Sequence, residues 1–392
     1  MSGRAVLVTH PGAELYGSDR VVLETVSALV ERGWDVVVAL PVDGPLVAAV
    51  ESAGARVRRC PTPVLRRSAL SPGGLVRLAG EAAAAVVPGA RLLRETGARV
   101  VVVNTVTTPL WPLLARCLGR RVVSHVHEAE STASPLARWA LTAPLLLAHR
   151  VVVNSAFARS VVGSVLPSLG ARCELVYNGV PGPAHVSPPR EDLSGPVRLL
   201  YVGRLSERKG VEDALAAVHL LARRGVEAEL DVVGAVYPGN EGFEARLRQQ
   251  VVREGTAARV RFHGFDRDVW PHLAAADVAL VPSRVDEPFG NTAVEAVLSA
   301  RPCVVSATSG LVEAVAGTAS AHLVPPGSPS AIASAVEEII GGWAQEGRAA
   351  QADAVAAARR FAPARYRSDV AGVVASVAGR RPRRPRRPRS GR

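Results

Sequence analysis

Two groups of residues in this sequence have the types and spacing for chemistry on an anionic substrate. In the first, the run Val197–Val202 of strand-forming residues leads into Gly203-Arg204-Leu205-Ser206-Glu207-Arg208-Lys209-Gly210, with a helical pattern directly after it. Arg204 offers a guanidinium fork and Lys209 a point charge, both beside the positive end of the following helix, a combination suited to a diphosphate. The second is Glu287-Pro288-Phe289-Gly290-Asn291-Thr292-Ala293-Val294-Glu295, in which two carboxylates stand eight positions apart. Pro288 and Gly290 keep Glu287 on a loop, while Glu295 falls one turn inside the next helix. The free amides of Gly290, Asn291 and Thr292 would then be available to an anion. Taken singly, each of these charges reads as a solvated side chain; together they read as a site.

Composition sharpens the first group. Of the 47 basic residues Lys209 is the one lysine. Other chemistries lack their signatures. Neither the dinucleotide fingerprint G-x-G-x-x-G after a strand nor the P-loop occurs. Cys60, Cys117, Cys173 and Cys303 form no C-x-x-C pair, so buried reduced thiols are expected and no thiolate metal site. With no histidine cluster either, the reading is metal: none, cofactor: none.

The elements that must position these residues form two series. Strand-like runs at 5–9, 35–40, 99–103, 121–126 and 150–154 alternate with Ala/Leu-rich helical stretches, as in a parallel α/β sheet. A second series follows at 197–203, 229–233, 259–263, 277–282, 302–306 and 321–324, with helices at 211–224 and 292–299. Between them, 178–196 is rich in proline and glycine and reads as a connection. The expected organisation is a first domain over 1–180, a linker over 181–196, a second domain over 197–363 and a helix at 364–378 that could pack back on the first domain. The remainder, 379–392, reads as a disordered Arg/Pro tail.

That tail dominates the charge. The chain carries a formal +12, and the eight arginines of 380–392 leave 12 − 8 = +4 for the rest. Nucleic acid is therefore an unfavoured partner for the body. An anionic membrane surface remains open through the tail and through Arg66, Arg67, Arg77, Arg91 and Arg94 around a helix at 74–95, with plain solvated surface as the blander reading. The apolar stretch 139–148 is too short to span a bilayer and no signal-peptide pattern opens the chain, so a cytoplasmic protein is expected, peripheral at most.

The two motifs resemble those of the family 4 retaining glycosyltransferases, whose donor domain has a G-R-L-x-x-x-K-G loop and an E-x7-E motif. Tyr177-Asn178-Gly179-Val180 is similar to that family's N-G-V junction, and Ser309-Gly310-Leu311-Val312-Glu313 to its late G-x-x-E loop. The resemblance covers about residues 1–375. It implies the GT-B fold, two Rossmann-like parallel-sheet domains facing a cleft, and a nucleotide-diphosphate sugar as donor. By the same resemblance Arg204 and Lys209 would hold the diphosphate, Glu287 the sugar hydroxyls, Glu295 the ribose, and the Gly290–Thr292 amides sugar and phosphate, with Phe289 on the same loop also binding the donor. Phe265 would lie near the base, with core packing as its alternative. In the first domain Gly17, within Leu15-Tyr16-Gly17-Ser18-Asp19-Arg20, would let backbone approach the donor phosphate. Asp19 and Ser18 depart from the family's commoner residues there.

His127, at the end of the strand 121–126, resembles the family's cleft histidine, with His125 on the same sheet face as the competing assignment. Asn154-Ser155 reads as an acceptor contact or a helix N-cap. The resemblance implies front-face transfer with retention, in which the leaving phosphate assists a hydroxyl of a glycan or lipid-linked acceptor. Two rival readings stay open: a sugar-nucleotide 2-epimerase of similar fold, and a non-enzymic polyanion binder acting through the tail.

Overall fold

The computed structural model describes residues 4–15, 17–65, 71–128, 131, 133–237 and 239–379. The readings placed on Tyr16, on Arg66 and Arg67, and on the 380–392 tail lie outside the described residues.

The first domain is a seven-stranded parallel sheet in the order β3-β2-β1-β4-β5-β6-β7. Its strands are β1 (Ala5–Thr9), β2 (Asp35–Leu40), β3 (Arg56–Arg59), β4 (Val100–Val103), β5 (Arg121–Val126), β6 (Arg150–Val153) and β7 (Cys173–Leu175). The second sheet has the order β10-β9-β8-β11-β12-β13. It is formed by β8 (Val197–Val202), β9 (Ala228–Val233), β10 (Val260–Gly264), β11 (Val278–Val281), β12 (Cys303–Ser306) and β13 (Ala321–Val324). Central strands such as β4, four valines all buried, have no polar face because helices cover both sides of the sheet.

The helices of the first domain are α1 (Gly17–Glu31), α2 (Pro45–Ser52), α3 (Pro72–Glu95), α4 (Leu110–Cys117), α5 (Pro135–Thr142), α6 (Ala156–Val165) and α7 (Pro167–Gly170). Those of the second are α8 (Val211–Arg223), α9 (Glu241–Arg253), α10 (Trp270–Ala275), α11 (Asn291–Leu298), α12 (Ser309–Ala314), α13 (Pro329–Gly341) and α14 (Trp343–Arg360). Two strands escape the sequence pattern. Edge strand β3 is Arg-Val-Arg-Arg and β7 has three residues, so neither shows an apolar run, and both sit where charge and shortness blunt a sheet edge.

Helix α15 (Pro363–Ala378) lies on the first domain. Tyr366, Val370, Ala371, Val373, Val374 and Val377 join Val21, Val22, Val26 and Val100 in one buried cluster. The Tyr366 hydroxyl meets Thr25 Oγ1 at 2.5 Å. The segment between β7 and β8 has no helix or strand, yet it is fastened to the second domain. Asp277, at the foot of β11, binds both Arg190 and Arg198, and the buried Arg301 donates to the carbonyls of Ser187 and Leu273. Of the four cysteines Cys60, Cys173 and Cys303 are buried, but Cys117, at the end of α4, is exposed, which corrects the expectation for that one thiol.

Candidate active site

In each sheet the strand order reverses between two neighbours, β1/β4 in the first and β8/β11 in the second. Crevices beyond the C-terminal ends of such pairs are where open α/β sheets bind ligands. Here the two crevices face each other across one cleft of about 440 Å³. It is lined from one side by Gly17, Arg20, His127 and Asn154, and from the other by Arg204, Lys209, Phe265, Glu287, Gly290, Asn291, Thr292 and Glu295.

On the second-domain wall, Arg204 leaves the end of β8 with its guanidinium 4.5 Å over the Tyr237 ring, and Lys209 follows in a short turn of 3-10 helix that runs into α8. Lys209 Nζ reaches Glu287 Oε1 at 2.8 Å, and Ser283 Oγ donates to the same oxygen at 2.9 Å. Two residues distant in sequence are thus one ion pair. Gly290 caps α11 at φ 110°, and a Cβ there would fall 2.4 Å from Leu311 Cδ2, so glycine alone fits the turn that exposes the first amides of α11. Glu295, inside α11, is buried, and burial lifts its carboxyl from 4.5 to about 7 against the pull of Arg20 and Lys209. Arg20 Nη1, from the opposite wall, lies 3.5 Å from it. Phe289 borders the cleft but is mostly enclosed. Its ring is 2% exposed, packed 5.9 Å from Tyr177 and 5.6 Å from Phe361 between centroids. It anchors the loop while bordering the cleft. Phe265, in contrast, is 53% exposed at the cleft, so the core-packing alternative does not hold for it.

The first-domain wall is built differently. Asp19, on α1, meets His10 Nε2 at 2.5 Å; Asn104 Nδ2 meets His10 Nδ1 at 3.2 Å; and His127 Nε2 meets Asn104 Oδ1 at 3.0 Å. A carboxylate accepts, so His10 carries its proton on Nε2 and accepts at Nδ1 from the Asn104 amide. The Asn104 carbonyl then accepts from His127 Nε2–H. The chain of donors and acceptors assigns the His127 tautomer and leaves its Nδ1 bare. Burial above all holds His127 well below the usual histidine range, so it is neutral. Glu128 steadies the same turn by accepting from Thr105 Oγ1 and from the amides of Val106 and His127. His125, the rival to His127, is 1% exposed, stacks 6.1 Å from Tyr366 and does not line the cleft.

Several bonds cross the cleft. Asn178 Nδ2 donates to Asn291 Oδ1 at 3.0 Å, and a Cβ on Gly17 would stand 3.3 Å from Asn291 Nδ2. Ser131 donates to Asp286, and Glu313 on α12 accepts the Ala156 and Phe157 amides at 2.7 and 3.1 Å, capping α6 of the other domain. Ser155 is the N-cap of α6, its Oγ accepting from Ala158 N at 2.9 Å, while Asn154 borders the cleft. His10, Asn104 and Arg20 were not singled out from the sequence. His10 and Asn104 directly follow β1 and β4, and only the order of those strands could have paired them. Among the described residues no group of three or more His, Cys, Asp or Glu side chains could hold a metal ion.

Residues 16–181 match the family model described as Glycosyltransferase Family 4, and residues 196–341 match that described as Glycosyl transferases group 1. The chain belongs to this GT-B group 1/family 4 of glycosyltransferases. It is 32% identical over 182 residues to a glycogen synthase of Mycobacterium tuberculosis, covering 46% of this chain and 43% of that one. It is 36% identical over 156 residues to a GDP-mannose-dependent alpha-(1-6)-phosphatidylinositol dimannoside mannosyltransferase of the same species, covering 38% of each. These matches span less than half the length of either relative. In fold it is similar to Anabaena Alr3699/HepE, crystallised with UDP and glucose, with a TM-score of 0.80 at 19% identity over 95% of this chain and 100% of that one.

Proposed function

We propose that the chain is a retaining, metal-independent glycosyltransferase that moves a sugar from a nucleotide-diphosphate sugar to a hydroxyl of a glycan or lipid-linked acceptor. One observation carries the reading: Arg204, Lys209, Glu287 and the capped start of α11 face His127 across a single cleft.

In this mechanism Arg204, Lys209 and the amides of Asn291 and Thr292 take the charge that grows on the diphosphate as the glycosidic bond breaks. Preorganised donors of this kind act where charge develops and do what a divalent metal does elsewhere. Glu287, held by Lys209 and Ser283, accepts from sugar hydroxyls beside the reacting carbon. Glu295 accepts from the ribose, and the exposed Phe265 ring lies against the base. His127, fixed in its neutral form, accepts at Nδ1 from a hydroxyl on the far side of the sugar. The leaving phosphate takes the acceptor's proton, so the entering and departing oxygens share one face and configuration is kept.

The lipid-linked acceptor draws support from α3, where Val76 and Val87 are 74% and 72% exposed on a helix that also carries Arg77, Arg91 and Arg94. Such a helix suits the inner face of an anionic membrane. None of the described helices is long and apolar enough to cross one. Incubation with a panel of nucleotide sugars and glycan or lipid acceptors in excess chelator tests the proposal. Transfer with an unchanged anomeric configuration by NMR is expected; an inverted product, or loss of turnover in chelator, overturns the corresponding part. A changed sugar nucleotide without acceptor would indicate the epimerase instead.

A further inference from the structure

The far end of the first domain holds a second concave site, at the N-terminal ends of the strands and away from the cleft. A cavity of about 210 Å³ there is lined by Arg116, Arg121, His149, Arg150, Arg172 and Ser376. Topology gathers them. Arg116 ends α4, Arg121 and Arg150 open β5 and β6, Arg172 directly precedes β7, and Ser376 comes from α15. An adjoining cavity of about 200 Å³ shares His149, Arg150 and Arg172 and adds Glu174. Glu174 pairs with Arg150 at 2.8 Å, and among the described residues lining the two cavities it is the one carboxylate beside four arginines. Among the described residues Arg116 and Arg172 make no ion pair.

His149 shows what the cluster needs. The Val122 amide donates to His149 Nδ1 at 3.0 Å, so the neutral ring carries its proton on Nε2. That Nε2 lies 2.8 Å from Arg116 Nη1, which is also a donor. Two N–H groups thus meet head on, a clash that an oxyanion accepting from both would relieve once the Arg116 side chain moved aside to admit it. Burial first, then Arg116 and Arg121, push His149 down to about 4, as expected where positive charge is in excess.

We propose that this pocket binds a phosphorylated small molecule through its phosphate dianion, held by Arg116, His149 Nε2–H and Arg172, with Arg150 and Arg121 supplying further charge. Guanidinium forks converging on one concave point suit a compact phosphate. Because Ser376 belongs to the helix that returns from the second domain, the ligand would tie that helix to the foot of the sheet.

The test uses the full chain with inorganic phosphate as probe, at constant ionic strength, against wild type, Arg116→Ala/Arg172→Ala and Arg204→Ala/Lys209→Ala. Calorimetric titration should show saturable binding in wild type and in the cleft variant, weakened at least about tenfold in the pocket variant. Phosphate should also raise the titration midpoint of the His149 ring, read by NMR. Equal binding in wild type and the pocket variant overturns the proposal, as does an unmoved His149. Vesicles containing phosphatidic acid form the second arm: pocket-dependent sedimentation with no response to free phosphate would replace a small-molecule ligand with a membrane headgroup.

Discussion

The two walls of the cleft are made on opposite principles. The second-domain wall displays charge, with Arg204, Lys209 and Glu287 on loops a few residues from a strand end and partly open to water. The first-domain wall hides its polar groups: Asp19, His10 and Asn104 are almost fully buried, and together with the neutral His127 they form a hydrogen-bonded series. A displayed charge stabilises a charge that appears during reaction. A buried series fixes one orientation and one tautomer, which serves positioning. The walls should therefore fail differently when broken.

The largest effect is expected on the displayed wall. Lys209→Ala or Arg204→Ala should lower kcat by about 10²- to 10³-fold, the cost of removing one preorganised donor, with folding unchanged. Steady-state kinetics at saturating donor checks this, and near-normal kcat in both variants would remove the basis for the site. Asn104→Leu should act next. It strips His10 and His127 of a partner each and should cost about 1–3 kcal/mol of stability per stranded group. Turnover should drop about tenfold or more while donor affinity, measured by calorimetry, holds. If affinity fell in step with turnover, the series would be part of donor binding and the contrast between the walls would be lost.

Glu295 belongs to neither pattern and gives the contrast a pH dependence. Its carboxyl sits at about 7 in the folded chain against an ordinary 4.5, through burial. The folded state thus binds more protons than the unfolded between those values, and stability should fall as pH rises from about 4.5 to about 7. Glu295→Gln should flatten that slope in denaturant titrations. Donor affinity should run the other way, weakening in wild type as pH falls through about 7, because the neutral acid accepts poorly from ribose hydroxyls. A Gln variant with an unaltered pH profile would show that another group sets it. Smallest of all, Tyr366→Phe removes the partner of Thr25 and should cost about 1 kcal/mol with kinetics intact, by thermal unfolding and turnover assays.

The displayed wall was legible in the sequence because its residues are near neighbours along the chain. Arg204 and Lys209 share one loop, and Glu287 and Glu295 share one loop and helix, so spacing alone exposes them. The alternation of strands and helices likewise read through, since each buried strand is a run of β-branched residues. His10 and Asn104 could not be read that way. They are 94 positions apart and meet only because β1 and β4 are neighbours in the sheet. Phe289 answers to two demands that the motif alone does not separate: it borders the cleft, and its ring packs against Tyr177 and Phe361. The edge strands β3 and β7 escaped because an edge does not demand the apolar pattern that identifies a centre.

The return of α15 to the first domain sets an order of events during synthesis. Thr25 and Tyr366 lie 341 positions apart, so the ribosome has made both sheets before the hydroxyl that meets Thr25 exists. Until then the nascent first half presents a valine-rich groove that later residues of the same chain must cover. It folds to completion only after the second domain has emerged. A polypeptide stopped at residue 362 would keep every loop of the donor wall and still leave that groove uncovered, an invitation to chaperones or proteases.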